Sequence, residues 1–118
     1  MKNKNMDIII EIRNHCLRIM DVLERFVGEH EMFIKDELSF NYVAIDLLKI
    51  CEYSDNLIVI FKWYTKEQFS WDEIQDLRYM CIYAEMDKMR ICKTAINMVP
   101  SLLKFCNKAI AGRVKGGA

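Results

Sequence analysis

The chain has 118 residues, 53% of them apolar, and its 17 basic and 17 acidic side chains cancel. That length supports one domain, able to bury about two thirds of its unfolded surface without staples. The composition excludes a disordered polymer, and the longest apolar run, Leu57 to Phe61, is too short to span a bilayer.

The charges are segregated. Every acidic residue lies at or before Asp87, so residues 1–87 carry 10 basic against 17 acidic side chains, a balance of −7. Residues 88–118 carry Lys88, Arg90, Lys93, Lys104, Lys108, Arg113 and Lys115 with no acid, a balance of +7. Such a basic third either touches RNA phosphates or complements the acidic part, within the fold or across a dimer, and the second reading is favoured. Five cysteines (Cys16, Cys51, Cys81, Cys92, Cys106) form no CxxC pair and fall in apolar helical patterns. With no signal peptide they read as free thiols in a reducing cytoplasm. His15 and His30 have no ligand partners at metal spacing, so neither metal nor cofactor is expected.

One proline and four glycines, three of them in the last seven residues, leave almost nothing to break a helix. The first helix is predicted from about Asn5, with Asp7 in its first turn. Ile9, Ile12, Cys16, Ile19, Leu23 and Phe26 recur at steps of three and four, a narrow seam suited to a bundle. Gly28-Glu29-His30 ends it; His30 is expected in a solvated loop and His15 as a half-buried packing residue. Asp36 reads as the cap of a second helix running towards Leu57. Its apolar residues Val43, Ile45, Leu47, Leu48, Ile50 and Cys51 spread too widely for one stripe, which predicts burial on several sides, a second protomer among them. Ile58 to Phe69 is aromatic and aperiodic, a continuation or a short helix followed by a packed loop.

Ser70 and Glu73 have capping-box spacing, with Trp71 at the first turn of the next helix. Ile74, Leu77, Cys81 and Ala84 form its inward stripe and place Asp76 and Arg78 near the edges. Asp87 reads as the cap of a following helix through Met89, Cys92, Ile96 and Val99. Pro100 predicts a kink or a new helix. The chain thus divides into a bundle over 1–111 and a flexible tail over 112–118.

Three blocks in this order resemble the HEPN/HepT-like ribonuclease toxins: Tyr42 to Leu57 with Ile50 and Glu52, Trp71-x-x-Ile74-x-x-Leu77-Arg78, and Val99-Pro100-x-Leu-Leu. The resemblance covers Asp7 to Cys106. It implies an all-α fold, a four- to five-helix up-and-down bundle forming a two-fold homodimer. It also implies a minimal nucleotidyltransferase antitoxin as partner, and metal-independent RNA cleavage by an arginine and a histidine five residues later. A tyrosine two positions beyond that histidine is where the antitoxin modifies the toxin. Here Arg78 stands, Tyr83 takes the histidine position, Glu85 takes the modified tyrosine position, and Tyr79 replaces an asparagine. A phenol with a pKa near 10 exchanges protons poorly at neutral pH, where imidazole does so well. Arg78 therefore reads either as a phosphate clamp or as a structural ion pair with Asp76, Glu85 or a partner's acid, the pair being favoured.

The expected function is a HepT-like, cytoplasmic protein of toxin–antitoxin type, its ribonuclease activity lost or strongly reduced, acting through protein–protein contacts and not in a membrane. One alternative is an active endoribonuclease that uses Arg78 with a noncanonical residue, either a perturbed Tyr83 or one of the two histidines. Another is a purely structural helical interaction module.

Overall fold

In a computed structural model the described residues are 4–82 and 87–112, with the side chains of residues 80–82 outside that description. All regular structure among them is helical: α1 (Lys4–Glu24), α2 (His30–Lys35), α3 (Glu37–Asp55), α4 (Val59–Tyr64), α5 (Asp72–Ile82) and α6 (Lys88–Ile110). The long helices α1, α3 and α6 form the body, α1 packing on both α3 and α6, while α5 closes against α3 and α6. None of the described helices is long and apolar enough to cross a membrane.

The predicted seam of α1 is its core face: Ile9, Ile12, Cys16 and Ile19 are buried, with Ile8 and Val22 widening the stripe, while Leu23 and Phe26 are half-buried. The helix unwinds through i→i+3 bonds from Arg25 to Val22 and from Phe26 to Leu23. Gly28 then reverses the chain at φ 75°, a left-handed conformation that costs glycine little. His30 is not in a loop; it begins the short helix α2. Six residues are too few for a periodic signal, so the sequence could not show α2, and Phe33 fixes it by packing between Phe26 and Phe40.

Both acidic caps act as read. The Asp36 carboxylate accepts from the Ser39 amide at 3.0 Å, and that of Asp87 from the Arg90 amide at 3.0 Å. The entry to α5 differs. Glu73 and Ile74 donate their backbone amides to the carbonyls of Ser70 and Trp71, and a Ser70–Glu73 side-chain exchange is absent among the described residues. At Pro100 no new helix begins: α6 runs through the proline as one element. Its buried face, Ile91, Cys92, Ala95, Met98 and Val99 before the proline and Leu102, Phe105 and Cys106 after it, is continuous, while Pro100 itself is exposed. Burial of that face offsets the roughly 3 kcal/mol that an internal proline costs. With α2 and α4, the described helices number six rather than four or five.

The aperiodic segment is a short helix, α4, bolted to the bundle. Phe61 packs on Trp71 and Phe105, and the buried Thr65 hydroxyl donates to the Phe61 carbonyl at 2.8 Å. Trp71 Nε1 donates to Thr65 Oγ1 at 2.9 Å, so the aromatic cluster closes on a satisfied polar pair. The outer side of this platform is apolar and exposed: Ile58, Val59, Ile60, Trp63 and Tyr64. A second exposed stripe, Leu38, Tyr42 and Ile45, follows α3 at helical spacing.

Candidate functional site

Arg78 is held by Asp55, an acid that the sequence reading did not name. Leu77 and Ile74 fix α5 against the core, which presents Arg78 half-exposed at the C-terminal end of α3. There its guanidinium donates to Asp55 Oδ2, while Gln75 Nε2 donates to Asp55 Oδ1 at 2.9 Å. Both oxygens of the carboxylate are therefore engaged from α5. Burial alone would raise the pKa of Asp55. The Gln75 bond, the Arg78 bond and the Arg78 charge together outweigh it and hold the carboxyl below its ordinary value. Reciprocally, the hydrogen bond to Asp55 and its charge raise Arg78. Asp76, one of the expected partners, is exposed and is not the residue that meets Arg78. Tyr83 and Glu85, the positions that matter most to the resemblance, lie outside the described residues, as do Ala84 and the 113–118 part of the tail.

A second polar cluster lies between α1 and α3. Asp46 is 1% exposed, and its Oδ1 is 2.8 Å from His15 Nδ1 and 3.5 Å from Arg18 Nε. An ionised carboxylate only accepts, so in a bond to one the Nδ1 side of the ring is the donor. The His15 ring also lies against Tyr53, centroid to centroid 5.6 Å. Asp46 Oδ2 is buried without a hydrogen-bond partner among the described residues, the kind of imbalance that accompanies a water or a working site. Sequence reading placed His15 correctly as half-buried but missed Asp46. The available signal was a single charge inside Val43-Ala-Ile-Asp-Leu-Leu48, at three and four residues from the buried Val43 and Ile50.

The described thiols are structural. Cys51 donates to the Ile74 carbonyl at 3.3 Å, and burial, partly offset by Arg78, pushes its thiol up to about 11. Burial likewise raises Cys16 and Cys92, and pushes Cys106 up to about 12. Among the described residues no group of three His, Cys, Asp or Glu side chains is placed to hold a metal ion. Comparison of the chain with protein-family models, with curated proteins and with solved structures returns no match.

Proposed function

We propose that this protein is a HepT-like scaffold whose ribonuclease activity is lost or strongly reduced, and that it acts in the cytoplasm through protein–protein contacts as a two-fold homodimer with a nucleotidyltransferase-type partner. The observation that carries the reading is the occupancy of Arg78. A phosphate clamp needs positive charge to spare, whereas here the Asp55 carboxylate sits on one guanidinium nitrogen and offsets that charge, and Gln75 holds Asp55 in place. An RNA phosphate arriving at this arginine would meet a carboxylate first.

The exposed apolar surface supports the contact role. Tyr79, beside Arg78, is 66% exposed, and the Leu38, Tyr42 and Ile45 stripe lies on the helix whose apolar residues already predicted burial by more than one neighbour. Arg90, Lys93, Lys104 and Lys108 stand exposed along α6, a basic face that suits the acidic remainder of a second copy or partner. One observation favours the alternative of an active enzyme: His15 is fixed by a buried carboxylate, which is how a proton-transferring imidazole is oriented.

Labelled RNA incubated with purified protein and a chelator separates these readings, with Arg78→Ala and His15→Ala as controls. The proposal expects no cleavage by any of the three, and a dimer by sedimentation. Cleavage that disappears in either variant would sink it.

A further inference from the structure

Between the end of α1, the Gly28 turn, α2 and the middle of α6 lies a half-open pocket of about 200 Å³, lined by Leu23, Phe26, Phe33, Cys92, Ile96 and Pro100, with Glu24 and His30 at its edge. Its walls are almost wholly apolar. An apolar cavity of about 150 Å³ stays dry and takes up benzene, so this volume suits one substituted or fused ring better than a peptide helix. The rings of Phe26 and Phe33 meet edge-on at 5.5 Å, and Phe33 is fully buried, which makes that wall rigid. On the opposite wall burial keeps Cys92 as a neutral thiol, a small hydrophobe rather than a nucleophile.

The wall contains one polar feature that the sequence dictates. Pro100 lies inside α6 and has no N–H, so the carbonyl of Ile96, four residues earlier, has lost its α-helical donor. Ile96 and Pro100 both line the pocket, so this acceptor belongs to an otherwise apolar wall. A carbonyl that has lost its helical donor keeps acceptor capacity, and a ligand that brings an N–H or O–H can pair with it.

We propose that the α1–α2–α6 pocket binds a small planar aromatic molecule carrying one hydrogen-bond donor, of the indole or phenol type, with its ring between Phe26 and the α6 wall and its donor on the Ile96 carbonyl. This site is independent of Arg78 and of the RNA question.

Indole and benzothiophene, which share shape but differ in the N–H, are the probes. They are titrated into the full chain and followed by protein-observed NMR. Indole should saturate at or below about 1 mM, with intermolecular NOEs to the methyl groups of Leu23 and Ile96. Benzothiophene should bind about tenfold more weakly. Pro100→Ala returns an N–H to the Ile96 carbonyl and should leave the protein folded. The preference for indole should then vanish while weak binding of both probes persists. No saturable binding of either probe to folded wild type would overturn the proposal. NOEs to another surface, or an indole preference that survives Pro100→Ala, would overturn it equally.

Discussion

Asp46 and Asp55 are the same residue type on the same helix, and each meets a cation from a neighbouring helix, yet they are different kinds of contact. Asp46 is sealed between α1 and α3 with His15 and Arg18 and keeps one oxygen unpartnered. The Asp55 side chain is 36% exposed at the helix end, with Gln75 and Arg78 on its two oxygens. In the first case removing one partner strands a charge away from water. In the second, water replaces whatever is removed. The Asp46 cluster therefore governs how firmly α1 and α3 hold together, and the Asp55 pair governs what the surface offers to a visitor.

The largest expected effect comes from breaking the buried cluster. His15→Leu leaves the Asp46 carboxylate with only the long contact to Arg18, itself largely exposed, and should cost about 3 kcal/mol in urea unfolding. Replacing both residues, as His15→Leu with Asp46→Leu, removes the stranded charge and should recover part of that loss. Additive costs in this cycle would put the two residues outside one another's influence and erase the contrast with Asp55.

Much of this arrangement was readable from the chain, and the failures have physical causes. The caps Asp36 and Asp87, the α1 seam and the packed Ile74 and Leu77 follow from local rules, because a cap and an apolar period need only a few neighbours. The short α2 and α4 owe their existence to Phe33 and Phe61 docking on residues far away in sequence, which no local period reports. Pro100 was read from its intrinsic cost, yet a continuous buried face on both sides carried the helix through. Arg78 pairs with Asp55 on α3 and not with the acids near it in sequence, because pairing across helices is set by the three-dimensional packing. The catalytic reading rests on Tyr83 and Glu85, where the sequence alone speaks.

A smaller effect concerns acid stability. The Asp55 carboxyl lies below its ordinary value in the folded chain. Its contribution is therefore fully present above the unfolded value, near pH 4, and is lost as pH falls through the lower folded one. Wild type should hold a steady advantage over Asp55→Asn at neutral pH, and the two curves should converge on acidification. Urea midpoints across the acid range test this. A gap that widens towards low pH would show that Asp55 is not stabilised as an anion.

Thiol chemistry probes the same contrast, with Cys51 on α3 between the two carboxylates and the other thiols on α1 and α6. In a Cys81→Ser background, Cys16, Cys51, Cys92 and Cys106 should react with a disulfide reagent only as fast as the domain opens, since burial holds each as a protonated thiol. Adding His15→Leu should speed that labelling because it lowers the cost of opening. Adding Arg78→Ala should leave it nearly unchanged.

Arg78→Ala should produce the smallest change in stability, because its guanidinium is solvent-accessible and Asp55 keeps the Gln75 bond. Its informative readout is the surface charge it uncovers. With Arg78 removed, Asp55 keeps only the weaker influence of Lys62 as a compensating charge, and any acidic partner seated there should dissociate faster while the fold is unaltered. Asp55→Asn does the opposite and releases the arginine. If Asp55 is what silences Arg78 towards phosphate, Asp55→Asn should bind single-stranded RNA more tightly than wild type, with a steeper salt dependence, and Arg78→Ala should abolish the gain. Equal RNA binding by wild type and Asp55→Asn would mean that the pair is not what keeps this arginine from a phosphate.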